Sequence, residues 1–335
     1  MSFRVASVPA SGEDSLIARY FKPIATDPGA FALDDDAAVL KAQGADIVVT
    51  TDAIVEGVHF MPDDPPDTVA RKALRVNLSD LAAKGAAPAG FVLTLALRAV
   101  EDAWLKPFAA ALGEDAKSYA CPLLGGDTVS TPGPLTVSVT ALGRAPADKM
   151  IHRSGARPGD RVVVTGSIGD AALGLDILKG GAIAKALAGD AAARQMLVGR
   201  YRVPQPRNAL ASAIRAHASA AMDVSDGLAG DLTKLCAASG VSAAIHTPGI
   251  PLSRPAAALR ASGAVSMETL ITGGDDYEIL CAIPEASYEA FAQDARKAGV
   301  AITPIGAVIA GNAMPSFLDA QGRELALKRR SWSHF

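Results

Sequence analysis

Residues 48–60 read VVTTDAIVEGVHF, a stretch that leads from an apolar run to an acidic residue and a histidine. The run Ile47–Val49 predicts a short β-strand that stops at Thr50-Thr51-Asp52. A carboxylate at the mouth of a buried strand is costly unless a positive charge compensates it. Asp52, with oxygen atoms of the two threonines, is therefore a candidate metal ligand, and His59 is a candidate neighbour in the same cavity. The alternatives are a helix N-cap for Asp52 and a packed or surface position for His59.

The same combination of an apolar run, glycine and acid recurs along the chain. It appears as LLGGDT (residues 123–128), AMDVSDGL (221–228) and ITGGDDYEIL (271–280), and a further Asp lies in the helical pattern RVNLSDLAAKGA. Converging carboxylates repel one another unless a cation lies between them, and hard divalent cations prefer oxygen ligands. The pattern therefore predicts a Mg²⁺ cluster, and the number of acids suggests several ions that bridge a nucleotide phosphate chain.

Each acidic motif also has an ordinary structural interpretation. Asp80 is also compatible with the exposed face of an amphipathic helix, Asp127 with a common strand-to-turn glycine pair, and Asp226 with a helix N-cap. Asp275 is compatible with a tight hairpin turn, and Asp34-Asp35-Asp36 with a solvated charge run. The recurrence of these acids at predicted element boundaries favours a shared site over five separate coincidences.

The length and composition of the chain limit the kinds of protein it can be. A chain of 335 residues is long for one core, so two domains are expected. A formal charge of −3, with no dense Lys/Arg run, argues against nucleic-acid binding. No apolar stretch approaches ~18 residues, and the first ten residues lack signal-peptide features, which predicts a cytoplasmic protein with no membrane partner. Cys121, Cys236 and Cys281 are far apart and predict free buried thiols.

Both halves of the chain show an α/β pattern. Helices are predicted at residues 11–22, 67–84 and 101–119, and strands at 37–40, 91–97 and 135–143. The segment HRSGARPGD (152–160), rich in Gly, Pro and charge, predicts an inter-domain connection. A second α/β run follows, with strands in DRVVVTG, AAMDVS, SAAIH, YEILCAI and AITPIGAVI and helices in GDAALGLDIL and GLAGDLTKLC. The sequence contains neither GxxxxGK[ST] nor an HRD…DFG pair, which excludes P-loop proteins and protein kinases.

Six motifs in order match a known family: TTDAIVEGVHF, KALRVNLSDLAAKGA, GGDT, HRSGARPGDRVVVTG, AMDVSDGL and GGDDYEIL. Together they resemble thiamine-monophosphate kinase, which belongs to a superfamily with aminoimidazole ribonucleotide synthetase. The resemblance implies a PurM-like two-domain α/β fold. An N-terminal domain (residues 1–147) with a mixed sheet would bind ATP and metal and form a homodimer, and residues 148–335 would form a C-terminal α/β domain. It also implies ATP-dependent phosphorylation of thiamine monophosphate to thiamine diphosphate, with several Mg²⁺ ions.

The resemblance also implies roles for individual residues. Because a phosphate monoester is largely dianionic at pH 7, we expect direct in-line transfer without a catalytic general base. The expected Mg²⁺ ligands are Asp35, Thr50, Thr51, Asp52, Asp80, Asp127, Asp223 and Asp226. The expected ATP contacts are Gly126, Asp127, Arg153 and Ser225, and the expected thiamine-phosphate contacts are His59, Asp275 and Trp332.

Two positions depart from the family pattern. Asp34 occupies the place of a usual glycine, which bears on the register of Asp35. Asp275 occupies a place where the family often has glutamate, so its carboxylate is drawn back by roughly one methylene.

Overall fold

The computed structural model describes residues 16–28, 30, 42, 44–329 and 331. Asp35, Trp332 and the predicted strand at 37–40 lie outside these residues. Of the predicted helix at 11–22, the described part contains a π-helical turn, Ile17–Phe21, followed by a 3-10 turn, Lys22–Ile24.

The first domain is a four-stranded mixed sheet covered by two long helices. Its strands are ordered β1-β4-β2-β3, with β2 and β3 parallel and the other neighbours antiparallel. The elements are β1 Ala45–Val55, α1 Pro66–Ala83, β2 Ala87–Leu97, α2 Asp102–Ser118, β3 Leu123–Ser130 and β4 Thr136–Pro146.

Among the described residues, one face of this sheet is buried. Along β4, Val137, Val139 and Ala141 are buried and the residues between them are partly exposed, as period-2 alternation requires. The buried face packs against α1 and α2, whose apolar side chains complete the core. The other face is open to solvent over much of its area in the described part of the chain, and Val49 and Val129 there are 59% and 43% exposed.

The prediction that the first strand stops at Thr50-Thr51-Asp52 is wrong. Strand β1 continues through Asp52 to Val55 and stays paired with β4 along its whole length. Polar residues do not end a strand whose backbone groups are paired on a neighbour. As a result, Thr50 and Asp52 point toward the helices with the buried Ile54, and Thr51 points to the open face.

The second domain is a six-stranded sheet, ordered β10-β7-β9-β5-β8-β6, with helices around it. Its strands are β5 Arg161–Thr165, β6 Ala220–Asp223, β7 Ser242–His246, β8 Ile279–Ile283, β9 Ile302–Ile309 and β10 Ser316–Leu318. Its helices are α3 Asp170–Leu178, α4 Ala182–Ala186, α5 Ala191–Arg202, α6 Ala211–His217, α7 Leu228–Ser239, α8 Arg254–Ala261, α9 Met267–Thr272 and α10 Tyr288–Lys297.

Helix α1 joins the two domains. Ala82 and Ala83 at its end pack in one apolar cluster with Ile214 and Ile279 of the second domain. Polar contacts reinforce this junction: Asn208 Nδ2 donates to the carbonyl of Leu78 at 2.9 Å, Arg75 Nη1 to that of Pro204 at 3.0 Å, and Lys84 Nζ to that of Ala221 at 2.9 Å. The domains therefore meet along α1 and leave a cleft beside it.

Candidate active site

The cleft between the domains encloses a cavity of about 330 Å³. One wall comes from β1 and the loop after it, the other from the segment after β6, the end of α3 and the segment before β8. The lining residues are Asp52, Ala53, Ile54, Val58, His59, Val76, Leu175, Lys179, Ser225, Asp226, Gly274, Asp275 and Tyr277.

Three of the predicted acids lie beside this cleft, close enough for their charges to interact, and Asp52 among them lines the cavity. Asp52 is on β1, Asp80 on α1 and Asp223 at the end of β6, so both domains contribute. Thr50 Oγ1 donates a hydrogen bond to Asp80 Oδ2 at 2.5 Å. Burial, and then the charge of Asp80, raises the pKa of Asp52 to about 6. Burial likewise raises the pKa of Asp223 well above its usual value, with Asp80, Asp231 and Asp52 adding repulsion and a hydrogen bond from Ser79 opposing it.

This donor set suits a hard divalent cation bound together with phosphate. Mg²⁺ usually takes one or two protein carboxylates and completes its shell with water and substrate phosphates. Among the described residues, no three acidic, histidine or cysteine side chains close into a metal cage by themselves. The carboxylates of Asp52, Asp80 and Asp223 nevertheless repel one another, and a cation between them would relieve that repulsion. The residues present therefore fit a metal ion that arrives with a phosphorylated ligand.

Two basic side chains lie beside the acids. Burial, and then the charge of Arg153, lowers the pKa of Lys84, while Asp223 and Asp80 oppose that shift. Arg153 is exposed, and its carbonyl accepts a hydrogen bond from Ser239 Oγ at 3.3 Å. The base of the cleft thus carries positive charge next to the carboxylates, as a phosphate-binding site requires.

Asp226 and Ser225 lie on the second domain's wall of the cleft. Asp226 Oδ2 accepts from Lys234 Nζ at 2.5 Å, and Asp231 accepts from the backbone N–H of Asp226 at 2.9 Å. The following helix begins after Gly227 with no side-chain cap, so the N-cap interpretation of Asp226 is wrong. Its carboxylate is directed to Lys234, and a metal ion would have to compete with that ammonium group.

His59 and Asp275 approach the cleft from opposite domains. The backbone N–H of Val55 donates to His59 Nδ1 at 3.1 Å, which assigns the ring proton of a neutral His59 to Nε2. Asp275 adopts a left-handed backbone with φ of 72°, and its N–H donates to the carbonyl of Ser225 at 2.8 Å. Gly274 has no room for a side chain here, since a Cβ would lie 2.4 Å from the same carbonyl.

The two acids after Asp275 have structural partners. Buried Asp276 accepts from the N–H groups of Gly169 and Ala171, at 2.7 and 3.4 Å, and so caps the start of α3. Buried Glu278 accepts from Arg207, Arg200 and Thr165. The hairpin alternative is also wrong, because residues 273–278 lead into β8, which pairs with β5 and β6.

Thr51 and Asp127 lie on the open face of the first sheet, away from Asp52. Thr51 Oγ1 is 2.9 Å from Thr140 Oγ1 on that face. Asp127 lies within β3, opposite Thr94 of β2, and therefore points the same way. Within a single molecule, Thr51 and Asp127 are therefore separated from Asp52, Asp80 and Asp223.

Gly126 has a packing role that the sequence motif did not reveal. It lies opposite Leu93 in the parallel pair β2–β3, and a Cβ at this position would be 1.9 Å from the carbonyl oxygen of Leu93. The expected ATP contact at Gly126 is not needed to explain why a glycine occupies this position. Gly125, by contrast, has open space around its Cβ position.

Several residues of the cleft were not predicted from the motifs. Tyr277 adopts a positive φ of 49°, and burial, then Asp275, Asp52 and Asp223, raises the pKa of its phenol. Lys179 lines the cavity at the end of α3, and Lys72 contacts Asp275 from α1. Lys72 lies in the motif KALRVNLSD and Tyr277 in GGDDYEIL, but neither pattern showed that the side chain would approach the cavity.

Comparison with known proteins follows the same two-domain division. Residues 34–145 match the family model "AIR synthase related protein, N-terminal domain", and residues 157–317 match its C-terminal counterpart. A thiamine-monophosphate kinase of Caulobacter vibrioides is 43% identical over 98% of this chain and 93% of its own length. The chain belongs to the thiamine-monophosphate kinase family. It is accordingly an enzyme of the kinase class, and the resemblance stated from the motifs is confirmed.

Solved structures of the family have the same fold. The crystal structure of a thiamine-monophosphate kinase from Stenotrophomonas maltophilia is 34% identical, covers 88% of this chain and 91% of its own, and superposes with a TM-score of 0.78. AaThiL complexed with AMPPCP and TMP is 29% identical, covers 90% and 91% of the two chains, and superposes with a TM-score of 0.75. The predicted PurM-like two-domain α/β fold is therefore confirmed. Among the described residues, no helix is long and apolar enough to cross a membrane.

Proposed function

We propose that this enzyme transfers the γ-phosphate of ATP directly to the phosphate of thiamine monophosphate, giving thiamine diphosphate. The observation that carries the proposal is the pairing of acids across the cleft: Asp52 and Asp80 from one domain meet Asp223 from the other. A relative of the same fold, AaThiL, has been solved with AMPPCP and TMP. An inter-domain cleft lined with acids and bases is the arrangement that two phosphorylated ligands require.

The acceptor needs no general base from the protein. A phosphate monoester has a second pKa near ~6, so it is largely dianionic at pH 7 and is already a nucleophile. The main obstacle is repulsion between two polyanions in a site of low dielectric constant. Asp52, Asp80 and Asp223, with Thr50 and Asp226 beside them, would hold Mg²⁺ ions, which supply the neutralising charge when bound.

The protein's own groups then orient the ligands. Arg153 would donate to ATP phosphates, and Ser225 on the second domain's wall of the cavity would be a further ATP contact. His59 and Asp275 define the acceptor end of the cleft, with Tyr277 between Asp275 and the acids. Binding in the cleft replaces bulk water with these fixed donors and charges, which favours in-line transfer over hydrolysis. The roles of Asp35 and Trp332 stay predictions from the resemblance.

We also propose that the enzyme is a cytoplasmic homodimer, with a domain boundary near residues 147–148, that associates through the open face of the first sheet. The exposed Val49 and Val129 support this, because a one-sided sheet with apolar residues outward favours burial against a second copy. Thr51 and Asp127 share that face, so dimerisation is the route by which they would approach a phosphate site. Val49→Glu should yield a monomer in sedimentation velocity, and an unchanged dimer would rule this face out.

The proposed reaction is tested by the formation of thiamine diphosphate from ATP, Mg²⁺ and thiamine monophosphate. Asp52→Asn, Asp80→Asn and Asp223→Asn should each lower kcat by orders of magnitude while the circular dichroism spectrum is retained. Asp294→Asn is the matched control, since Asp294 is paired with His217 and Lys297 outside the cleft. Near-normal turnover of the cleft variants would refute the site.

The stereochemistry of transfer tests the direct mechanism. ATP made chiral at the γ-phosphorus should give product with inverted configuration, because a single in-line displacement inverts the phosphorus. Retention would show two displacements and hence a covalent phospho-enzyme, which the proposal excludes.

A further inference from the structure

Lys72 is a fully buried lysine whose ammonium group lies between His59 of the first domain and Asp275 of the second, at the acceptor end of the cleft. It projects from α1 and is 1% exposed. Its Nζ donates to the carbonyl of His59 at 2.8 Å and to Asp275 Oδ2 at 3.0 Å. The same atom is 3.7 Å from the centroid of the Tyr201 ring. The Lys72 ammonium therefore contacts a carbonyl of the first domain, that of His59, together with a carboxylate and an aromatic face of the second domain.

Tyr201 completes the arrangement around the same loop. Its hydroxyl donates to the His59 carbonyl at 3.0 Å, so this oxygen accepts from both Tyr201 and Lys72. Burial, and then the charges of Asp275 and Asp64, raises the pKa of the phenol, which stays a donor at physiological pH. The backbone position of His59 is thus fixed by two donors that come from different domains.

A buried lysine is costly unless several partners compensate the loss of water. Here the compensation comes from one carboxylate, one carbonyl and one π face, all at the edge of the ligand cavity rather than in the middle of a core. The junction between the domains is already held elsewhere, by Asn208, Arg75 and the apolar cluster at the end of α1. The position of Lys72 is therefore better explained by the ligand cavity than by domain docking alone.

We propose that Lys72 is a positioning residue for the acceptor, acting through Asp275 and the His59 loop. This rests on the proposed function, because it assigns the acceptor end of that same cleft. Lys72 neutralises Asp275, which would otherwise add another negative charge to a cleft that must admit a dianionic phosphate. Together with Tyr201, it also holds the His59 loop at a fixed distance from Asp275, which sets the width of the acceptor end.

The charge argument predicts a selective effect on one substrate. In Lys72→Met, Asp275 loses its counter-charge and the His59 carbonyl loses a donor. Like charges repel strongly in a site of low dielectric constant, so the acceptor KM should rise roughly tenfold or more. The KM for ATP should stay within about twofold, since Lys72 contacts Asp275 and the His59 carbonyl, which the proposed function assigns to the acceptor. A residue that only stabilised the fold would not separate the two constants.

A double-mutant cycle identifies the route of the effect. If Lys72 acts largely through Asp275, the increase in acceptor KM caused by Lys72→Met should be much smaller in an Asp275→Asn background. Equal fold-changes in both backgrounds would overturn the neutralisation of Asp275 by Lys72. Arg215→Met is the control, because Arg215 donates to the carbonyl of Gly85 across the domain junction without lining the cavity. It should change thermal stability and leave both KM values unchanged.

Lys72→Arg keeps the positive charge and covers the case in which Lys72→Met does not fold. A planar guanidinium cannot replace a compact ammonium that donates to two oxygens over a ring, so the acceptor KM should still rise by about threefold or more. Wild-type values for both substrates in Lys72→Arg, or equal rises in both KM values, would overturn the proposal. Failure of the wild-type enzyme to use thiamine monophosphate would instead refute the proposed function, so the two failures are distinguishable.

Discussion

In the metal-free enzyme, Asp52 should lower the free energy of unfolding as the pH rises from about 4 to about 6. Its pKa is raised from 3.8 to about 6 in the folded protein. In this window the unfolded chain has released the proton while the folded chain still holds it, so rising pH favours unfolding. Below the unfolded pKa the penalty is absent, and above about pH 6 it is complete.

The size of the effect follows from the shift. Two pH units at 1.36 kcal/mol each give an upper limit of about 3 kcal/mol. The side chain of Asp52 is nevertheless exposed to water in the cleft, and screening reduces the expected contribution to about 1 kcal/mol. Buried Asp223 shifts in the same direction, because its pKa is also raised by burial and by Asp80. Together they should give a measurable difference in the free energy of unfolding between pH 4 and pH 7.

Urea unfolding followed by circular dichroism, with EDTA present, measures this difference. Asp52→Asn should flatten the dependence on pH, since an amide has no charge to develop. Asp294→Asn should change the slope in the opposite sense, because Lys297 and His217 lower the pKa of that exposed carboxyl. Mg²⁺ added with a non-hydrolysable ATP analogue should stabilise the wild-type protein more at pH 7.5 than at pH 5, where protons compete with the metal. Equal pH slopes for wild type and Asp52→Asn, or an equal Mg²⁺ increment at both pH values, would refute the reasoning.

Three further variants test structural assignments near the site. Glu278→Gln should cost about 3–5 kcal/mol in urea unfolding, because Arg200 and Arg207 lose a buried counter-charge; a loss below ~1 kcal/mol would contradict that pairing. Asp276→Ala should cost about 1–2 kcal/mol and speed hydrogen exchange in the first turn of α3, and unchanged exchange there would argue against the cap. Gly126→Ala should destabilise by about 1–3 kcal/mol or more, since its Cβ meets a backbone carbonyl that has no room to move, and wild-type stability would contradict the close β2–β3 contact.

The sequence motifs predicted the acids of the cleft because such residues are conspicuous. Asp52, Asp80 and Asp223 stand out in apolar surroundings, and the structure places all three at one cleft. The α/β class followed from apolar periodicity, and the Gly/Pro-rich segment at 152–160 stays the predicted inter-domain connection. These features depend on local chemistry, which a sequence displays directly.

Orientation across a sheet was harder to predict. Thr50, Thr51 and Asp52 are adjacent in sequence, yet Thr51 points to the opposite face because β1 continues through them. Predicting this required knowing where the strand ends, and polar residues gave a misleading signal for that. The same uncertainty separates Asp127 from Asp52, since the face on which a strand residue lies changes with a shift of one position.

The helices between α3 and β6 were also missed. In α5, Ala193, Leu197 and Tyr201 are buried at a spacing of four, which is a helical signal carried by only three side chains. Their contribution becomes clear only in three dimensions, where this segment supplies Tyr201 to the acceptor end and Arg207 to Glu278. Lys72 was missed for a related reason, because its partners are distant in sequence.

Helix α1 has a practical consequence for dissecting this enzyme. Its buried surface is shared: one side belongs to the first sheet, and Ala82 and Ala83 belong to the core of the second domain. In a fragment that ends near residue 147, the apolar side chains of Ala82 and Ala83 would be exposed to water. The complementary fragment would lack the helix that covers its own core. We therefore expect neither fragment to fold stably on its own. ATP binding is better assigned to one half by point substitutions in the intact chain than by truncation.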